Sequence, residues 1–236
     1  MRAVFKRELK AYFTTPLGYA VLIIVLLFGG LFFFTNNLYG GSASLQGVFE
    51  MLFFVSLLIV LPVLTMRLFS EERRQRTDQA LFTAPTSITG VVLGKFFAAL
   101  LVFALSVSIT LVYAVFTAFQ VVPDWAVIFG NYLGLVLMGG MVISIGMLVS
   151  SFTESQLASA IATFAVSFAL LMVDYLTNLL SSNRVVVAVI DFLSINQRYY
   201  NFTVGSLNYA DLVFFLSMQG LFLFLTVRAL DRKRWS

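Results

Sequence analysis

The sequence has no cysteine and no histidine in 236 residues. That excludes disulfides, thiol and imidazole catalysis, and the usual zinc and haem ligand sets. Charge is scarce too: 11% of residues are charged, against about 25% in an ordinary soluble domain. Too few polar side chains exist to cover a water-facing surface. What fills the chain instead is apolar: 60% hydrophobic and 16% aromatic residues. The expected class is an all-α polytopic membrane protein forming a single domain over 1–236. The net charge of +4 does not point to nucleic acid, because the basic residues sit at the ends of apolar runs.

A hydrocarbon core about 30 Å thick needs roughly 20 apolar helical residues. Six runs meet that length, at about 17–38, 48–68, 96–122, 125–152, 155–180 and 212–230. All of the lysines and arginines except Arg184 and Arg198 lie at the ends of these runs that share one side. The positive-inside rule then places both termini in the cytoplasm. The N-terminal apolar run is longer than a cleaved signal's core, so it is expected to stay as the first span. Before it, Phe5, Leu9 and Tyr12 or Phe13 face away from Lys6, Arg7 and Lys10 in helical spacing. This is the pattern of an interfacial amphipathic helix, which Pro16 separates from the first span.

Between the second and third runs lies "SEERRQRTDQALFTAPTSITGVVLGK", Ser70 to Lys95, the most polar stretch of the chain. Glu71 and Glu72 come early, arginines follow, and Glu72 and Arg76 stand four apart as a favourable pair. A short amphipathic helix ending near Pro85 is expected, with Ser87 capping the next helix near Ile88. An ordinary basic loop obeying the positive-inside rule fits the composition equally well. "GVVLGKF" at Gly90–Phe96 has the wrong glycine spacing for a phosphate-binding loop, and Phe96 stands where a Ser or Thr is needed. The chain is therefore not expected to bind ATP or to be an enzyme. Lys95 reads as an anchor snorkelling to the headgroups. Asp174 is the one acid well inside an apolar run, read as capping or pairing locally near its end rather than as an ion-coupling group. The segment Ser181–Asp211, with Tyr199, Tyr200, Phe202 and Tyr209, is too apolar to float free. It reads either as short re-entrant helices at the outer interface or as a cap packed over helix ends. "NFT" at Asn201 is a weak glycosylation motif.

The segment Ser70–Lys95, with its acidic pair, basic residues, small-residue–Pro stretch and Gly-Lys before the third span, resembles the signature of type-2 ABC exporter permeases. "FKRELKAYFTTPLGY" near the start, the long loop before the last span and the terminal "LFLFLTVRALDRKRW" fit the same resemblance. It is most similar to the gliding-motility-associated permease subunits. Arg76 departs from it, since a small residue is expected there. The resemblance implies a transmembrane permease subunit of an ATP-driven exporter in the bacterial cytoplasmic (inner) membrane. It implies a cytoplasmic coupling helix between spans two and three, contacting the ATPase through Glu71, Glu72, Arg73, Arg74, Arg76 and Asp78. Glu154, in the short turn "SFTESQ", would add a second contact. No cofactor or metal is implied in this chain; ATP and Mg would belong to a partner ATPase. The implied partners are cytoplasmic ABC ATPase subunits, a second permease subunit, an extracytoplasmic accessory protein and the lipid membrane. Two other readings remain open: a secondary transporter, for which no internal repeat is evident, and a non-transporting membrane scaffold driven by an ATPase.

Overall fold

The computed structural model describes residues 1–75, 87–119, 122–179, 194–206 and 208–234, with side chains given except at 174–179 and 233–234. Among the described residues there is no strand. The helices are α1 (Arg2–Thr14), α2 (Pro16–Tyr39), α3 (Gln46–Arg74), α4 (Ile88–Ala118), α5 (Trp125–Phe152), α6 (Gln156–Leu179), α7 (Ile195–Thr203) and α8 (Tyr209–Arg234). Six of them, α2 to α6 and α8, are long and apolar enough to cross a membrane. Helices suit that setting because every backbone polar group is satisfied within the segment. The expected contacts Arg76 and Asp78, the helix end expected near Pro85, residues 181–193 of the apolar segment and the side chain of Asp174 lie outside the described residues.

Local chemistry sets the boundaries. Thr15 is extended and Pro16 opens α2 at its first position, which divides α1 from α2 as Pro16 led us to expect. Ser87 Oγ accepts the Gly90 amide at 3.2 Å and starts α4. Asp124 does the same for α5, accepting from Ala126 and Val127, and Ser194 caps α7. In α3, Pro62 has no N–H to give the Leu58 carbonyl and its ring crowds that group. The helix answers with π-helical turns over Ser56–Val60.

Helix α5 is the centre of the bundle, with buried residues along its length from Ile128 to Ser151. It can be central because its small residues admit close neighbours. A Cβ at Gly139 would collide with the Phe103 ring of α4, and one at Gly146 with Thr65 of α3. Phe49, Phe53, Phe103, Phe202 and Phe215 are the largest apolar side chains fully buried there.

The spans alternate in direction. One end of the bundle gathers α1, the end of α3, the start of α4, the α5–α6 turn and the end of α8. We call it the basic end. The opposite end holds the loops after α2 and α4, and α7. Helix α4 begins at Ile88 after the Ser87 cap, as expected, but the span takes in Ile88–Phe96 as well as the apolar run, so Lys95 lies within it rather than at its edge. Over Ile195–Thr203, Ile195, Tyr199 and Phe202 are buried, Tyr199 stacks on Phe53 with ring centroids 4.4 Å apart, and Phe202 lies against Gly134. In these residues the apolar face is spent on the bundle, which is the cap of the two readings offered for that loop.

Candidate functional site

At the basic end the polar segment after α3 meets α1, α4 and the α5–α6 turn. Helix α3 reaches it through a looser turn at 66–69 and re-forms over Ser70–Arg74. The turn leaves amides without helical partners. Ser150 of α5, fully buried, accepts the amides of Phe69 and Ser70, each at 3.0 Å. Ser70 Oγ in turn donates to the Met66 carbonyl.

Lys95 sits beneath this segment and is 2% exposed. Its Nζ donates to the Leu68 carbonyl at 2.7 Å and pairs with Glu72 at 3.0 Å and Glu8 at 3.2 Å. It also lies 5.2 Å from the centroid of the Phe69 ring. Arg7 closes the group from the surface, reaching Glu8 at 2.7 Å and Glu72 at 2.9 Å. Two cations and two carboxylates thus neutralise each other, the condition under which buried charge is tolerable. The snorkelling expected of Lys95 is therefore wrong. The ammonium is drawn inward, because Glu8, Glu72 and a free carbonyl satisfy it better than a headgroup contact needing a longer reach.

The remaining contacts widen the cluster. Arg67 pairs with Glu71 at 2.9 Å, one helical turn on, and donates to Thr15 Oγ1 at 2.9 Å. Arg73 donates to the Ser151 carbonyl at 3.1 Å and stands 3.6 Å from Glu154. Tyr12 is buried and its hydroxyl donates to the Leu64 carbonyl at 3.0 Å. Helix α1 packs closely on α4 because Gly94 leaves room for Val4, which would lie 3.1 Å from a Cβ there. Burial works against the Glu8 carboxylate, but Lys95 and then Arg7 more than offset it, so Glu8 is held below its ordinary value. Arg7 is held above its own, with Glu8 and Glu72 outweighing burial. Burial pushes the Tyr12 hydroxyl up.

The residues singled out from the sequence divide into two sets. Glu71 and Glu72 turn inward as ion-pair partners. Arg73 and Glu154, expected as separate contacts, are brought together, and Arg74 is exposed. Arg74 and Glu154 line an open groove of about 580 Å³ with Met66, Gln156 and Leu157. Arg76, the expected partner of Glu72, and Asp78 lie outside the described residues. Sequence reasoning missed Glu8 and Arg7. A signal was there: Glu8 is the one acid on the apolar side of α1, between Phe5, Leu9 and Tyr12, and an acid there asks for a buried cation. Among the described residues no cluster of metal-ligating side chains is present.

The arrangement holds two cations and two carboxylates in fixed geometry across α1, α3 and α4. No curated protein is similar enough to count as a match. The family model described as ABC-2 family transporter protein matches residues 6–170, which takes in most of α1, the ion cluster of Arg7, Glu8, Glu72 and Lys95, and most of α6. The chain belongs to the ABC-2 transporter family, as a multi-pass membrane permease of a kind that carries no nucleotide-binding domain of its own.

Proposed function

We propose that this chain is the permease subunit of an ATP-driven exporter, driven by separate ATPase subunits that dock on its basic end. The observation that carries this reading is the mounting of Ser70–Arg74. Glu72 ties it to α1 and α4, Ser150 and Arg73 tie it to α5, and Arg67 with Glu71 tie it back along α3. A displacement applied to this short segment must therefore move several spans together. Such an element suits the relay of motion from a nucleotide-driven partner into the membrane. The docking face is the exposed rim of the cluster, Arg73 with Arg74, Glu154 and the groove those two line; Arg76 and Asp78 are proposed as further contacts. The basic end faces the cytoplasm, and a second permease subunit completes the transporter. ATP and Mg are held by the ATPase. The finer likeness to gliding-motility-associated permeases rests on the quoted segments alone.

Two measurements test this. Cysteines placed at Arg74 and at Tyr39, which is 86% exposed at the opposite end, should label from opposite sides of the membrane with an impermeant thiol reagent. In the complex with its ATPase, Arg74→Glu combined with Glu154→Lys should cut transport-coupled ATP turnover several-fold while thermal stability stays within about 0.5 kcal/mol, as for surface changes elsewhere. Unchanged turnover would remove the docking face from this rim. A chain that transports at full rate without any ATPase would be a secondary transporter.

A further inference from the structure

The end of the bundle opposite the ion cluster contains a hollow of about 570 Å³ among the loops after α2 and α4 and helix α7. Its size lies in the range of small-molecule sites. Its walls are mixed. Phe49, Pro123, Val127 and Tyr200 are apolar or aromatic, while Gln46, Thr117, Asp124, Asn131 and Thr203 are polar. No lysine or arginine is among the described residues that line it. Asp124 supplies a carboxylate with Oδ1 on the amides of Ala126 and Val127. Glu50, exposed, accepts from Gln46 at 3.3 Å and so stands beside the wall. Helices α2 and α4 both point their C-terminal, partially negative ends at this region. The N-terminus of α5 is offset by the carboxylate of Asp124 that caps it. The N-terminus of α3 at Leu45 and Gln46, which has no side-chain cap, turns a partially positive end to the wall, so the negative charge at the hollow rests on the carboxylates of Asp124 and Glu50.

A second, independent feature marks the same place. A recess of about 40 Å³ shares the walls Ala43 and Thr117 with the hollow and is lined by Asn37, which is 6% exposed. Asn37 Nδ2 donates to the carbonyls of Ser42 at 2.7 Å and Ser44 at 3.0 Å. Those two bonds fix which side of the amide is oxygen, so Oδ1 is an acceptor, and it is buried with no partner. A buried acceptor left unpaired is destabilising and calls for a donor. The recess has room for one water or one –NH₃⁺ group, and for little else.

We propose that this hollow binds a primary ammonium group carried on an apolar stem, with the stem against Phe49, Tyr200 and Val127. The carboxylates of Asp124 and Glu50, with no lysine or arginine among the described lining residues, disfavour an anion. The orphaned acceptor favours an N–H donor over a quaternary ammonium, whose methyl groups cannot satisfy it. The ammonium can come from the headgroup of a membrane lipid or from a free amphiphilic amine. The side of the membrane on which this happens rests on the orientation proposed above, but the binding does not.

The test uses the full chain alone in nanodiscs of phosphatidylglycerol, without any ATPase, so that a failure of coupling cannot be confused with a failure of binding. Hexylammonium is titrated by calorimetry. Saturable binding is expected, weakened roughly tenfold in Asp124→Asn, which keeps a capping side chain but removes the charge. Should that variant fold poorly, Glu50→Gln is the second, with the same direction of change. Tetrapropylammonium, of similar bulk without N–H, should bind far more weakly. Nanodiscs doped with phosphatidylethanolamine then separate the sources: competition with hexylammonium indicates a lipid headgroup, and its absence indicates a free amine. No saturable binding of hexylammonium, equal binding of tetrapropylammonium, or binding unaffected in both variants would each overturn the proposal.

Discussion

The two ends of this bundle are held by different physics. At the basic end, a lysine that is 2% exposed bridges α1, α3 and α4 through two carboxylates and a carbonyl. Fixed hydrogen bonds from Ser150 add α5. At the opposite end, α7 is seated mostly by apolar surface: Tyr199 on Phe53, Phe202 beside Gly134, and Arg198 4.1 Å over the Phe214 ring. One strong ion pair, Arg198 to Asp211 at 2.8 Å, ties α7 to α8, and Asn201 donates to the same carboxylate at 2.7 Å. Charge networks are directional and hold one geometry, while apolar contacts are non-directional and can slide. The basic end is thus suited to move as a unit. The other end, where a hollow of about 570 Å³ already exists, is where shape can change.

The largest effect expected is from Lys95→Met. It removes the buried ammonium that pairs with both Glu8 and Glu72, and breaking a buried pair in this way costs about 3–5 kcal/mol. Thermal unfolding in detergent measures it. Adding Glu8→Gln to Lys95→Met should recover part of the loss, giving a coupling energy in the double-mutant cycle. If Lys95→Met proved as stable as the parent, the cluster would not be what holds α1 on the bundle, and the contrast between the ends would collapse.

A smaller pair of changes sharpens the same contrast. Ser150→Ala leaves two buried amides, of Phe69 and Ser70, without an acceptor. The expected cost is about 1–3 kcal/mol for the first amide, with the second partly relieved by relaxation of the turn. Tyr199→Phe at the other end removes hydroxyl contacts that are long, 3.4 Å to the Phe49 carbonyl and 3.5 Å to Asn131, and keeps the stacked ring. Its cost should stay below about 1 kcal/mol. Equal losses in these two variants, measured by the same unfolding assay, would show that directional bonds matter alike at both ends.

The six spans, the break at Pro16 and the Ser87 cap were legible because each follows from local chemistry: apolar run length, a missing N–H, a short hydroxyl side chain. The polar segment after α3 was legible as a place but not as a geometry. Glu72 was read against Arg76, its neighbour four residues on, whereas its described partners include Arg7 and Lys95, 65 and 23 positions away by residue number. Spacing rules reach one helical turn; they cannot show which helix end folds onto which. Lys95 failed for a related reason. A lysine near the end of an apolar run snorkels unless acids meet it from other helices, and Glu8 was hidden in a segment read only for its basic and apolar faces. The hollow near Asn37 carries no sequence signal, since Asn37, Thr117 and Asp124 come from three separate loops and ends.

The smallest effect is a pH slope confined to the basic end. Glu8 is held below its ordinary value of 4.5 because Lys95 and Arg7 outweigh the burial that opposes its charge. A carboxyl depressed in the folded state binds its proton less readily there than in the unfolded chain. Its contribution is therefore fully present above the unfolded value and is lost as pH falls through the folded one. The parent should lose stability below about pH 4.5, and Glu8→Gln, which cannot titrate, should show a shallower loss over that window. The midpoint of thermal unfolding, followed from neutral to acid pH in one detergent, reads both. Tyr199→Phe should keep the parent's slope, because it alters no group of the cluster. A slope unchanged by Glu8→Gln would mean that the acid sensitivity arises from other carboxyls. A slope that Tyr199→Phe also flattened would mean that the two ends are coupled through the spans even at rest.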